Sequence, residues 1–261
     1  MDSLINPMFK QDLIFRKPIM NTAGMLGFSP DLRAPVPWDD FGAFVTNPLS
    51  LRPRKPANPP ASIEYPGGFL LHTGLPNPGL DSAINKHARR WADSPIPVVV
   101  NLMADRPEEA KQMVRTLEGM DNVMAVELGF APLLSDDIIL LAIEMCLGEL
   151  PLIVSLAAEQ VLNLGPHAMQ IGAVAISLAA PRGMLPVTPS SSPEVGQGLM
   201  SGRLFGPALL PRSLEVVHSA VRLGLTMIGA GGVYTMENAE AMLAAGALWV
   251  QMDAGLWLPK I

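Results

Sequence analysis

Eight short apolar runs, several rich in β-branched residues, recur along the chain, and most are followed after a loop by a longer amphipathic or apolar stretch. Strands that all run one way need crossovers of a dozen or more residues, so this alternation predicts a parallel sheet covered by helices. The strand candidates are Pro18–Asn21, Ala43–Asn47, Val98–Leu102, Met124–Leu128, Leu152–Leu156, Val174–Leu178, Thr226–Gly229 and Leu248–Met252. Helices are expected at Leu80–Trp91, Pro107–Leu117, Asp136–Leu147, Ala158–Met169, Pro211–Leu223 and Met236–Ala245. A poorly formed first helix is expected near Val36, and the last helix looks shortened because almost nothing follows Leu258. Eight strands in 261 residues match an α/β (β/α)8 TIM barrel forming a single domain over 1–261. An open doubly wound sheet would usually have fewer strands and a Gly-x-Gly-x-x-Gly turn after the first, which this chain lacks.

Local signals agree with that division. Asp105 followed by Glu108 resembles a capping box, Ser135 precedes the acidic pair Asp136 and Asp137, and Gly148, Gly172, Gly224 and Gly246 stand where helices should stop. Two long insertions interrupt the alternation: Leu51–Gly79, rich in proline and glycine, and Leu185–Ser201, which contains the serine-rich run Pro189–Pro193. Both follow a strand, which in a barrel puts them on the C-terminal face as loops or lids.

Composition narrows the function classes. Nearly half the residues are hydrophobic and only 16% are charged, which suits a large buried core. A net charge of −6 and the lack of a basic cluster interleaved with aromatics disfavour nucleic acid. A single cysteine, Cys146, excludes an internal disulfide, and in its apolar helical run it reads as core. No charged-then-apolar leader and no membrane-length apolar run are seen, so a cytoplasmic, membrane-free protein is expected. His72, His87, His167 and His218 are dispersed, and no metal site is expected.

Met227–Gly246 reads as strand, glycine turn and helix, with Gly229, Gly231 and Gly232 able to bring amides and a helix N-terminus close to an anion. The next strand ends in Asp253, whose carboxylate would oppose such an anion. Polar groups expected at strand ends are Asn21, Thr22, Thr46, Asn47, Asn101, Glu127, Ser155, Ser177, Gln251 and Asp253. Mostly amides and hydroxyls, they favour a neutral or cationic small molecule at the C-terminal barrel face. Arg182 and Arg203 flank the serine-rich segment, where they are either ordinary loop charges or able to reach an anion over the mouth.

Taken in order, Gly42-Ala-Phe-Val-Thr46, Pro66-Gly-Gly-Phe-Leu70, Gly74-Leu-Pro-Asn-Pro-Gly79, Ile176-Ser-Leu178, Arg182-Gly-Met184, Leu199-Met-Ser-Gly202, Gly206-Pro-Ala-Leu209 and Ile228-Gly-Ala-Gly-Gly-Val233 resemble class 1 dihydroorotate dehydrogenases from about Asn21 to Gly255. The resemblance implies an FMN-binding barrel that oxidises dihydroorotate to orotate in pyrimidine biosynthesis, often as a dimer. It implies FMN contacts at Ala23, Gly24, Thr46, Asn101, Gly202, Gly231 and Gly232, and substrate contacts at Gly74, Leu75 and Asn77.

The same comparison exposes losses. Where the family has a lysine after the second strand this chain has Asn47, and the flavin-side lysine of the fifth strand is Ser155. An orotate-binding asparagine is replaced by Leu71, the segment leading to the cysteine base reads Glu127-Leu-Gly-Phe-Ala-Pro132, the Asn-Thr or Asn-Ser pair after the sixth strand is Ala179-Ala180, and the Gly-Thr or Gly-Ser that receives phosphate after the eighth is Asp253-Ala254. Glu127 has a counterpart in the family beside the separate base and reads as structural. His72 is the one titratable base in a retained loop, and thus the candidate acid/base group set against an ordinary surface role. The expectation is a diverged barrel that no longer works as a dihydroorotate dehydrogenase and binds a small molecule or serves as a partner subunit; the alternative is an FMN-dependent oxidoreductase acting on CH–CH groups with the family's substrate or another.

Overall fold

The computed structural model describes residues 13–187 and 198–257. Eight strands close into a parallel barrel: β1 (Ile19–Asn21), β2 (Phe41–Val45), β5 (Val98–Met103), β6 (Val123–Gly129), β7 (Leu152–Leu156), β8 (Ala175–Leu178), β11 (Met227–Gly229) and β12 (Trp249–Met252). The intervening strands β3 (Ala61–Tyr65), β4 (Gly68–His72), β9 (Arg182–Val187) and β10 (Gly198–Phe205) form a second sheet. Closure comes from β1, which pairs with both β12 (Ile19 opposite Val250) and β2 (Met20 opposite Ala43).

Side chains alternate across these strands with a period of two, and the alternation builds two apolar layers. Inside the barrel lie Met20, Val45, Val99, Ala125, Ile153, Ala175 and Ile228. Outside it, Phe44, Val98, Val100, Val126, Val154 and Met227 pack against helical residues such as Trp91, Met113, Leu117 and Ile143. The helices are α1 (Leu80–Ala92), α2 (Pro107–Leu117), α3 (Asp136–Cys146), α4 (Ala158–Ile171), α5 (Leu210–Arg222) and α6 (Met236–Ala244). The barrel and all six helices thus follow the sequence pattern, with boundaries displaced by a residue or two. Cys146 is buried in the outer layer, where desolvation pushes its thiol up to about 12.

Several local expectations are corrected. Near Val36 there is only a 3-10 turn, Trp38–Asp40. Arg106 rather than Asp105 precedes α2, and neither it nor Ser135 caps its helix with a side-chain bond. The capping box is on α6, where Thr235 Oγ1 accepts from the Asn238 amide while Asn238 Oδ1 accepts from the Thr235 amide. Gly148 lacks the left-handed conformation found at Gly172, Gly224 and Gly246. Residues 258–261 and the serine-rich run Pro189–Pro193 lie outside the described residues.

The largest correction concerns the insertions. They are not simple loops but a four-stranded antiparallel sheet, ordered β3-β4-β10-β9, that stands on the C-terminal face. Pro66-Gly67 turns β3 into β4, with Gly67 in the left-handed region. Central β10 pairs with β4 on one side and β9 on the other. Ile63, Leu70, Val187 and Met200 give this sheet its own small core.

Candidate functional site at the barrel mouth

One step beyond the inner apolar layer, each of several strands carries a polar residue facing the axis: Asn101 after Val99, Glu127 after Ala125, Ser177 after Ala175 and Gln251 after Trp249. The spacing of two makes them a layer of their own. Glu127 is its hub and is almost wholly buried. Its Oε2 accepts from Asn101 Nδ2 at 2.8 Å, and its Oε1 accepts from Ser177 Oγ at 2.6 Å and from Gln251 Nε2 at 2.8 Å. A buried carboxylate is costly unless its lone pairs are satisfied, and here three neutral donors from three other strands satisfy them. The arrangement ties the barrel together and leaves Glu127 engaged, in line with a structural role.

Above this layer opens a cavity of about 570 Å³, walled by Glu127, Asn101, Ser155, Gln251, Thr22 and Leu75 among others. Arg182 and Arg203 reach it from β9 and β10, and Arg54 reaches it from the first insertion. Of the polar residues expected at strand ends, Thr22, Asn101, Glu127, Ser155 and Gln251 line the cavity while Asn21, Thr46, Asn47, Ser177 and Asp253 do not; the three guanidinium groups are joined there by the acidic side chains of Asp105 and Glu159.

The residues expected to hold FMN come from several elements of the barrel and the second sheet. Ala23 and Asn101 line the cavity. Gly24 has φ +97°, and its open side faces the Arg203 guanidinium, with Nη1 3.6 Å from where a Cβ would be. Thr46 is buried and its Oγ1 accepts the Asn101 backbone amide at 3.0 Å. Asn47 Oδ1 accepts from the Gly27 amide. Gly202 belongs to β10, and a side chain there would strike Leu70 and Leu71 of β4, a packing reason for glycine.

The glycine turn after β11 is close-packed as well. A Cβ on Gly231 would lie 2.6 Å from Ser213 Oγ, and one on Gly232 would run into the Leu210 backbone at the start of α5. The Gly232 amide donates to Asp253 Oδ2 at 3.0 Å. Asp253 is buried, and its Oδ1 has no hydrogen-bond partner. Burial raises its carboxyl to about 7, against the opposing pull of the Gly232, Ala254 and Gly255 amides, although only Gly232 aligns into a full bond. Ala254, next in the chain, packs with Met25, Phe205 and Tyr234. The buried Asp253 charge also raises the Tyr234 phenol, second to desolvation. A phosphate approaching the Gly232 amide would meet the Asp253 carboxyl group already bonded there.

The expected substrate loop divides in the same way. Leu75 lines the cavity in a left-handed conformation. Gly74, also left-handed, packs against the Ala57 backbone. Asn77 is buried and spends its amide on the loop, with Oδ1 accepting from Ser50 and Gly79 and Nδ2 donating to the Leu75 carbonyl. His72 Nδ1 lies 2.8 Å from the Ser201 carbonyl, within the insertion sheet. It is not among the residues lining the cavity. No motif in the sequence singles out Arg54. Among the described residues no group of three His, Cys, Asp or Glu could hold a metal, and no helix is long and apolar enough to cross a membrane.

Comparison with known proteins places this geometry in a lineage. A family model described as dihydroorotate dehydrogenase matches residues 9–130. The chain is 31% identical to the catalytic subunit of dihydroorotate dehydrogenase B (NAD(+)) from Pelobacter propionicus, over 94% of this chain and 86% of that one. It is 28% identical to the corresponding subunit from Maridesulfovibrio salexigens, with the same coverage. The crystal structure of the Eimeria tenella enzyme DHODH, in complex with ferulenol, superposes with a TM-score of 0.66 at 16% identity, over 93% of this chain and 77% of that one, a likeness of fold.

Proposed function

Because this chain belongs to the dihydroorotate dehydrogenase family, we propose that it is a diverged member whose barrel mouth binds a small molecule without oxidising dihydroorotate. The observation that carries this reading is the bond from the Gly232 amide to buried Asp253. Where the resemblance places a cofactor phosphate, the chain supplies its own anion. A phosphate brought within 4 Å of an ionised Asp253 would be repelled by roughly 4 kcal/mol per charge pair at an effective dielectric near 20. The reading is further supported by Glu127–Pro132, which has no cysteine, serine, histidine or lysine to act as base, a function typically worth about 10²–10⁴ in rate. Glu127 itself is held by three donors.

The similar proteins are named catalytic subunits, so we extend the proposal to assembly with a partner subunit or a second copy, in the cytoplasm. A second reading, an FMN-dependent oxidoreductase in pyrimidine biosynthesis or with a changed substrate, is favoured by similarity to such a subunit over 94% of the chain. Turnover of dihydroorotate with a dye acceptor separates the two. The first reading expects no reduction above a protein-free control, even with FMN added, and FMN-dependent dye bleaching would establish the second.

A further inference from the structure

Arg182 and Arg203 stand directly opposite each other in the antiparallel pair of β9 and β10. Directly paired residues project from the same face of a sheet, and like charges so placed repel. Both side chains reach the same cavity. Arg203 is held in place there, with Cζ 5.4 Å from the centroid of the Phe205 ring and its guanidinium against the open face of Gly24. Desolvation, then the nearby Arg182 charge, lowers Arg203 to about 10. Arg182 is exposed. Asp105 and Glu159 also line the cavity, from beyond β5 and β7. Neither lies within ion-pair distance of the two arginines among the described residues.

We propose that this pair is an anion clamp at the barrel mouth, built for the dianionic head of a phosphate monoester whose body rests on the amide and hydroxyl groups of Asn101, Ser155 and Gln251. Two planar guanidinium forks can each bind a phosphate bidentately, and two positive charges match its dianion better than a single carboxylate. Phosphate and arginine also relieve each other's desolvation, and the repulsion across the strand pair is neutralised. Glu127 in the floor keeps the anionic end at the arginine side. Neither Gly232 nor Asp253, whose carboxyl occupies the Gly232 amide, lines this cavity.

The inference rests on the mouth being a ligand site without flavin, so the purified full chain is checked for flavin absorbance before titration. Phenyl phosphate, inorganic phosphate and acetate are then titrated calorimetrically into the parent protein and into Arg203→Gln and Arg182→Gln. Phenyl phosphate is expected to bind saturably, at least tenfold tighter than acetate, and to weaken at least tenfold in either variant. Arg182→Gln, at an exposed position, keeps the test valid if Arg203→Gln fails to fold. Absent saturable heat with phenyl phosphate, equal affinity for acetate, or unchanged affinity in the folded variants would overturn the clamp. Bound flavin would instead sink the reading on which it rests.

Discussion

Replacing Asp253 with asparagine should reverse the sign of its effect on stability between acid and alkaline pH. The carboxyl titrates near 7 in the folded chain against an ordinary value of 3.8. The folded state therefore holds an extra proton between those values, and stability falls as pH rises through that window; above pH 7 the full penalty applies. About three pK units correspond to roughly 4 kcal/mol at 1.36 kcal/mol each. The substituted side chain would keep an oxygen for the Gly232 amide but place an NH₂ where Oδ1 finds no partner, costing about 1–3 kcal/mol. Asp253→Asn should thus stabilise the protein by roughly 1–3 kcal/mol at pH 8 and be neutral or destabilising at pH 4–5. Urea unfolding at a series of pH values measures this as the difference between the two chains. Buried His87, whose imidazole is lowered chiefly by desolvation, loses its contribution as pH falls, but it does so in both chains and cancels. Parallel pH profiles for parent and variant would refute a buried, uncompensated carboxylate at this position.

Two further outcomes follow from the packing. Glu127→Leu strands the donors of Asn101, Ser177 and Gln251 and should cost more than about 3 kcal/mol in urea unfolding, whereas Glu127→Gln should cost about 1–3 kcal/mol; a leucine variant as stable as the parent would remove the hub. Gly232→Ala combines a φ of +80° with a Cβ driven into the Leu210 backbone, so its melting temperature should fall by well over the equivalent of about 1 kcal/mol, while a glycine kept only for ligand approach would leave it unchanged.

The barrel was legible because each of its strands carries its own signal. Val99 inward with Val98 and Val100 outward, or Leu152–Leu156 between a proline and an amphipathic helix, can be read locally. The second sheet was not, because its pairing is remote: Leu71 of β4 meets Arg203 of β10, across about half of the chain. A local cue did exist in the alternating Ala61–Tyr65 followed by Pro66-Gly67, but the surrounding prolines read as loop. At the site, the clash between Asp253 and a phosphate cradle was visible as composition at a motif. Its resolution was not, since whether the carboxylate faces solvent or turns onto the Gly232 amide depends on the close packing of the Gly231-Gly232 turn against α5. The guanidinium pair escaped full reading for the same reason, because it is β9–β10 register that sets Arg182 opposite Arg203.

The most direct test of the central claim, that the chain's own carboxylate has taken the cofactor's anion seat, is the visible absorbance spectrum of freshly purified protein, recorded before and after adding dihydroorotate. The account predicts no flavin bands and no change. Stoichiometric FMN that bleaches on adding dihydroorotate would contradict it.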